Sequence, residues 1–466
     1  MRALLRSSVV LALSSLLAAC GGGSPENETA TDDLTVTASN EIASWHQIAL
    51  DAVWRDSTPP GPNDTWQSGA QGGPTRTSRS LAIVQIAVYD AVQSISGAYQ
   101  PYTQMPINSN ASMASAIAVA AHDTLSVLFP SQKKSFDLAL ASDLASDHHA
   151  TKQAGIARGA LAAANILALR ENDGSLTPEP NYANMGLPTG VGQWAPDTLT
   201  FNPIALGGYW MKVKPFALKS TKQFRAPPPN APGSAGYLAD YKDTYNYGGD
   251  GVVTPTLRTA DQTIKGIFWG FDGAPKIGTP PRIYNLIAMQ IAQNAGMGNQ
   301  PSELSRLLAA VNTAMADAGM SAWDSKYFYH VWRPANAILA TEPHTTWIAL
   351  GAMEDNTTSP DFTPPFPAYP SGHATFGGAL FQVLRRLVGD TSFNFVSDEY
   401  NGITKDNEGK VRPHLNRHFT SLTAAETENA RSRIYLGVHW QSDANAGVTM
   451  GNSVANYVLD NYFQHR

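Results

Sequence analysis

The sequence predicts an all-α protein built from two helical bundles. Apolar residues recur at three- and four-residue spacing through most of the chain, alanine and other small residues are dense within those segments, and one stretch rich in Pro, Gly, Asn and Tyr separates an earlier helical block from a later one. The earlier block holds amphipathic segments beginning at Trp45, Ser80, Ala111 and Ser131, followed by an alanine-rich segment over 151–170. Residues 172–266 change texture, with APPPNAP after Arg225 breaking any helix, and read as a long crossover carrying short helices. Helices resume at Arg282 and Ser302. The periodicity then predicts a helix over 323–340, with two final helices beginning near His373 and near Thr423. This places an N-terminal bundle with its crossover at 41–250, largely scaffold, and a C-terminal bundle at 251–466, with few strands of importance. The segment 391–411 reads as a solvated loop, a lid or a subunit contact, and Arg385 and Arg386 as solvent-facing.

Composition narrows the partners. At 15% charged residues and a formal net charge of −6, the 466-residue chain lacks the basic surface a nucleic-acid binder needs. Past the N-terminal segment it has no run of 18 apolar residues, the length a spanning helix requires. The first 19 residues carry two arginines, an apolar run and then Leu17, Ala18 and Ala19 before Cys20, the only cysteine in the chain. That pattern resembles a bacterial lipobox, with an ordinary signal peptide as the alternative. It implies a signal peptide over 1–19, a lipidated Cys20 as the membrane contact, a flexible tether over 20–40 and a place in the cell envelope, on the periplasmic face of an outer membrane.

The chemistry concentrates near the C-terminal end, in KYFYHVWRP, PSGH and SRIYLGVHWQSD. Lys326, Arg333 and Arg433 are fixed positive charges, the arginines offering planar forks that hold several oxygens at once. Ser371 and the N–H of Gly372 precede an apolar run, which suggests a helix N-terminus whose dipole favours an anion. The spacing from Lys326 to Arg333 is two helical turns, putting their backbones roughly 10 Å apart on one face, while Pro334 implies a helix start or a kink there. Asp443, four residues after His439, is placed to fix the imidazole tautomer and leave the other nitrogen free to attack or ligate. His373, beside Ser371 and Gly372, is the candidate acid or base. Together these residues suit a tetrahedral oxyanion. Isolated histidines such as His46, His122 and His465 read as structural.

The triple pattern K-x6-RP, PSGH, SR-x5-H-x3-D resembles the superfamily that joins vanadium-dependent haloperoxidases to type 2 phosphatidic-acid phosphatases and bacterial acid phosphatases. Longer stretches, over 269–286, 364–387 and 428–441, are similar to the fungal chloroperoxidase branch. The resemblance is firmest over 251–447. It implies that vanadate, or phosphate in the same place, sits in the pocket with His439 as the metal ligand and His373 at the apical oxygen. Lys326, Arg333, Ser371, Gly372 and Arg433 would hold the remaining oxygens, and Asp272 would pair with an arginine behind them. Phe366 falls at the family's halide position with Trp323 as a second aromatic wall, although Phe366 equally suits packing of its proline-rich turn.

The reaction the resemblance implies consumes hydrogen peroxide and halide, gives hypohalous acid, halogenates small organic nucleophiles and leaves vanadium in one oxidation state. His373 manages the protons and Lys326 polarises the peroxide. Two other readings use the same residues. In one, His439 attacks a phosphate monoester and His373 protonates the leaving alcohol. In the other, the pocket is a relic on a lipid-anchored binding module.

Overall fold

In the computed structural model, the residues described are 28–197, 199–343, 346–352, 363–406 and 408–466, with side chains from residue 38 onward. The earlier block forms α1 (Glu28–Asp56), α2 (Gly73–Ser96), α3 (Met113–Leu128), α4 (Lys133–Ser146) and α5 (Lys152–Arg170). The crossover carries α6 (Ala235–Tyr247) and α7 (Ala260–Phe268). The later block holds α8 (Pro280–Asn294), α9 (Pro301–Tyr329), α10 (Pro334–Thr341), α11 (Gly372–Val388), α12 (Leu422–Tyr435) and α13 (Gln441–Asn461), with an antiparallel pair β1 (Phe393–Asn401) and β2 (His414–Phe419) between α11 and α12.

The all-α reading holds, and the helix ends follow local chemistry. Ser112, Ser371 and Ser421 cap α3, α11 and α12 through their hydroxyls. Thr259 and Gln262 form a reciprocal capping box on α7. Prolines open α2, α8, α9 and α10, where a missing N–H costs nothing.

One continuous hydrophobic core joins the two blocks. Its axis is α9, buried along most of its length, which packs on α2 from the earlier block and on α8, α11 and α13 from the later one. Small residues set the closest approach. On α13, a Cβ at Gly451 would lie 2.3 Å from the Thr375 carbonyl oxygen, and one at Gly447 would lie 2.7 Å from the Ser371 carbonyl oxygen. These glycines let α13 lie directly against the first turns of α11, which carry Ser371 and His373.

Five expectations need correction. The helix expected over 323–340 is two helices. α9 stops at Tyr329, His330 turns the chain with φ +54°, and Arg333 caps α10 from extended backbone, so Lys326 and Arg333 do not share a helical face. Pro334 is the cause, because its ring pushes Arg333 into the extended region. Likewise, the last motif helix divides into α12 and α13 at Gly437, which adopts φ +70° and leaves His439 just ahead of α13. The expected tether over 20–40 is helical from Glu28, and Ala38 and Ile42 are buried in the core; residues 20–27, with Cys20 and the signal peptide, lie outside the described residues. In 391–411, expected as a loop, β1 alternates inward and outward, burying Phe393, Phe395, Ser397 and Glu399. Arg385 is also mostly buried, paired with Glu426 on α12 at 3.0 Å.

Candidate active site

The site forms where the ends of α9, α10, α11 and α13 meet. Ser371 sits at the N-cap of α11 and Gly372 is its first residue, so the N–H of Gly372 has no partner within the helix and lies at the positive end of its dipole. A hydrogen bond from the Ser371 N–H to the Asp443 carbonyl oxygen, 2.9 Å, ties this end of α11 to α13. Lys326, Arg333, Ser371 and Arg433 are all fully buried.

Backbone oxygens hold Lys326 and Arg333, and a carboxylate holds Arg433. Lys326 Nζ donates to the carbonyls of Pro367 (2.8 Å) and Ala368 (3.0 Å). Arg333 Nε donates to Phe366 O at 2.9 Å, and its Nη1 to Val438 O at 2.7 Å and to His439 Nε2 at 3.0 Å. Arg433 Nη2 bridges both carboxylate oxygens of Asp272, each at 2.9 Å. After these bonds, Arg333 Nη2 and Arg433 Nε and Nη1 are buried with no partner. Buried guanidinium N–H groups without an acceptor are costly, and an anion is the kind of group that could satisfy them.

The two histidines differ. His439 Nδ1 lies 3.0 Å from Asp443 Oδ2, which also accepts from the Trp440 N–H at 3.1 Å. With Arg333 donating to Nε2, this network sets the proton on Nδ1 and the lone pair on Nε2. The pair forms at the entrance to α13, not along a helix as the four-residue spacing suggested. His373 Nε2 lies 2.6 Å from the Gly270 carbonyl oxygen, so it carries a proton and leaves Nδ1 for acid–base work. The carbonyl of His373 accepts from Tyr284 and Asn429, both at 3.0 Å, which fixes the turn bearing it.

Burial governs the electrostatics. It pushes Lys326 well below its ordinary range, with the Arg333 charge acting in the same direction. His373 and His439 are also held well below the usual imidazole value, first by burial, then by Arg433 for His373 and Arg333 for His439. Arg333 is brought down to about 9 by burial, and burial raises Asp443 to about 7. For Asp272, burial pushes upward and Arg433 pulls back. A positive site that suppresses its own charges is one that an entering anion relaxes.

Beside these groups lies a cavity of about 570 Å³, lined in part by Asp272, Gly372, His373, Arg433 and His439. Trp323 and Phe366 meet on one wall at 4.9 Å between ring centroids, with Lys326 Nζ 4.9 Å from the Phe366 ring. The rest of the wall was not legible in sequence. Much of it comes from the start of α2 (Gly72, Gly73, Pro74) and from the crossover (Phe201, Pro203, Leu206), so the N-terminal half is more than scaffold. Gly270, which positions His373, also carried no motif. Of the isolated histidines, His46 is buried between Gln85 and Asn285, and His122 is bonded to Asp123 and Asp137.

Among the described residues, fold and site together give a helical-bundle protein whose helix ends gather three buried cations and two buried histidines beside a cavity. Residues 306–466 match the family model of the VCPO second helical-bundle domain. The chain is 38% identical over 281 residues to the vanadium chloroperoxidase of Curvularia inaequalis, a match spanning 51% of this chain and 46% of that protein. The match thus spans about half the length of either protein. Among solved structures, a bacterial vanadium-dependent iodoperoxidase superposes with a TM-score of 0.72 at 22% identity, covering 91% of this chain and 97% of that one. The holo form of a bacterial vanadium-dependent chloroperoxidase gives 0.63 at 18%, covering 87% and 96%. Over about half its length the chain is similar in sequence to a vanadium chloroperoxidase, and its fold is that of the bacterial vanadium-dependent haloperoxidase structures.

Proposed function

We propose that this protein is a vanadate-dependent haloperoxidase that oxidises halide with hydrogen peroxide to hypohalous acid. The observation that carries the reading is the trio of unpartnered guanidinium N–H groups on Arg333 and Arg433, buried beside Lys326, Ser371 and the free N–H of Gly372. A tetrahedral oxyanion supplies the acceptors these donors lack, so the residues fit vanadate, and phosphate by the same chemistry. Sequence relation to a chloroperoxidase supports vanadate as the resident.

In this reading Arg333, Arg433, Lys326, Ser371 and Gly372 would hold oxygens, and His439 Nε2 would be the metal ligand. Vanadate, when bound, supplies Lewis acidity that activates hydrogen peroxide without a change of oxidation state. Asp443 keeps the proton on His439 Nδ1 so that Nε2 stays available. His373 Nδ1 would hold or release a proton at the oxyanion, while its Nε2 stays anchored to Gly270. Lys326, held among carbonyls with its ammonium near the Phe366 ring, would polarise an oxygen of the bound oxyanion. Trp323 and Phe366 keep the halide's approach dry, and hypohalous acid then halogenates small organic nucleophiles.

The test is halide oxidation by metal-free protein with peroxide, before and after one equivalent of orthovanadate, alongside hydrolysis of a phosphate monoester. Vanadate-dependent oxidation with little hydrolysis is expected. Hydrolysis that vanadate inhibits, with no halide oxidation, would make His439 the nucleophile of a phosphatase. The leader sequence further supports a lipid anchor at Cys20 in a bacterial envelope. Labelling with a palmitate analogue should mark the full chain and be lost in Cys20→Ser; equal labelling of both would end that reading.

A further inference from the structure

We propose that Glu399, on β1, is a positioning residue of the oxyanion site: it fixes the turn over 270–272, from which both His373 and Arg433 take their partners. The inference rests on the proposed reading only in taking the site to seat an oxyanion, whichever oxyanion that is.

The turn serves two site residues at once. The Gly270 carbonyl oxygen lies 2.6 Å from His373 Nε2, and both carboxylate oxygens of Asp272 accept from Arg433 Nη2 at 2.9 Å. Between them stands Phe271, fully buried at φ +53°. An aromatic residue in the left-handed region is strained, and such a conformation persists only where its surroundings hold it. The backbone of this one residue sets how the Gly270 carbonyl and the Asp272 side chain are disposed to each other.

β1 supplies the hold. Glu399 is fully buried, and its Oε1 accepts from the Phe271 N–H at 3.1 Å. Two residues earlier on the same inward face, Ser397 Oγ donates at 2.6 Å to the carbonyl of Phe268, where α7 ends. The approach is close. A Cβ at Gly270 would stand 2.9 Å from Glu399 Oε1 and 3.0 Å from the Ile267 carbonyl oxygen, so a glycine there lets the carboxylate reach past it to Phe271.

An inward strand position is ordinarily apolar, and a carboxylate there costs free energy unless it is paired and hydrogen-bonded. Glu399 meets both conditions: Arg412 Nη1 stands 3.4 Å from its Oε2, and its Oε1 is spent on the turn. The inward polar residues of β1 thus form a template for the segment that orients His373 and Arg433. What the turn needs from Glu399 is reach. Glu399→Asp keeps the charge but withdraws the carboxylate by one methylene, whereas Glu399→Gln keeps an acceptor oxygen at the same reach without the charge.

The experiment compares full-chain wild type, Glu399→Asp and Glu399→Gln without peroxide or halide. Proton NMR reads the His373 Nε2–H resonance in anion-free protein, assigned by its loss in His373→Gln. Equilibrium dialysis reads the affinity for orthovanadate and for inorganic phosphate. In Glu399→Asp the resonance should move and both affinities fall about tenfold, the size seen for groups that orient a binding residue, while Glu399→Gln stays within about threefold of wild type. An unmoved resonance in Glu399→Asp overturns the positioning role, even if the melting temperature falls. So does a Glu399→Gln protein weakened as much as Glu399→Asp, because charge and not reach would then be what matters. The resonance is read without anion, so a wild type that holds neither vanadate nor phosphate defeats the oxyanion reading and leaves the Glu399 result standing.

Discussion

Asp443 shows how one carboxylate serves two buried donors. Its Oδ2 accepts from His439 Nδ1 and from the Trp440 N–H, so Asp443→Ala leaves both unpaired and frees the imidazole to take either tautomer. Loss of such an orienting group typically weakens metal affinity by about 10–100-fold. Equilibrium dialysis of vanadate against wild type and Asp443→Ala should show a drop of that size, and matched affinities would remove Asp443 from its positioning role. Most of these residues were legible in sequence because PSGH and H-x3-D are local patterns with local causes. Gly270 and the Asn429–Tyr284 pair were not, because their work is done by a backbone carbonyl or across long sequence separations.

At the scale of elements, the site is a meeting of helix ends. Pro334 separates α9 from α10 and Gly437 separates α12 from α13, and each break delivers a site residue, Arg333 or His439, from non-helical backbone. Periodicity alone ran through both breaks, since it reports an apolar face and not where a helix stops. The β1–β2 pair was missed for a related reason: its short alternation of Phe393, Phe395, Ser397 and Glu399 includes buried polar residues, with Glu399 paired to Arg412 at 3.4 Å. The contact between α11 and α13 is the element on which the anion seat depends. Gly451→Val would place side-chain atoms against the Thr375 carbonyl and the Ala379 N–H, forcing the helices apart. Overpacking of this kind costs about 1–3 kcal/mol or more. The expected result is a lower melting temperature together with weaker vanadate retention; full retention would mean that the Ser371 end of α11 is set independently of α13.

Across the whole molecule, polar ties as well as the apolar core hold the two blocks together. His46 on α1 reaches Gln85 on α2 (3.1 Å) and the carbonyl of Asn285 on α8 (3.3 Å). Burial pushes its imidazole down to about 4, against about 6.5 in an unfolded chain. Between those values the unfolded chain binds a proton that the folded one refuses, so His46 costs stability as pH falls from 6.5 toward 4, by up to about 3 kcal/mol. Glu41 and Asp90, raised by burial to about 8 and about 6, act in the opposite sense and lose stability as pH rises. The difference between wild type and His46→Gln isolates the histidine. The variant should lose less melting temperature between pH 7 and pH 4.5, and parallel curves would show that His46 does not titrate on unfolding.

The sequence by itself determined the helical class, the donor set for an oxyanion and the identity of the orienting carboxylate, because periodicity, capping and short motifs are governed by neighbours along the chain. Only the tertiary structure decided which guanidinium N–H groups remain without partners, which nitrogen of each histidine carries the proton, and that residues 200–206 help to line the cavity at the site. Those properties depend on burial and on contacts between residues far apart in the chain, where desolvation and the fixed geometry of packed helices set both charge and access.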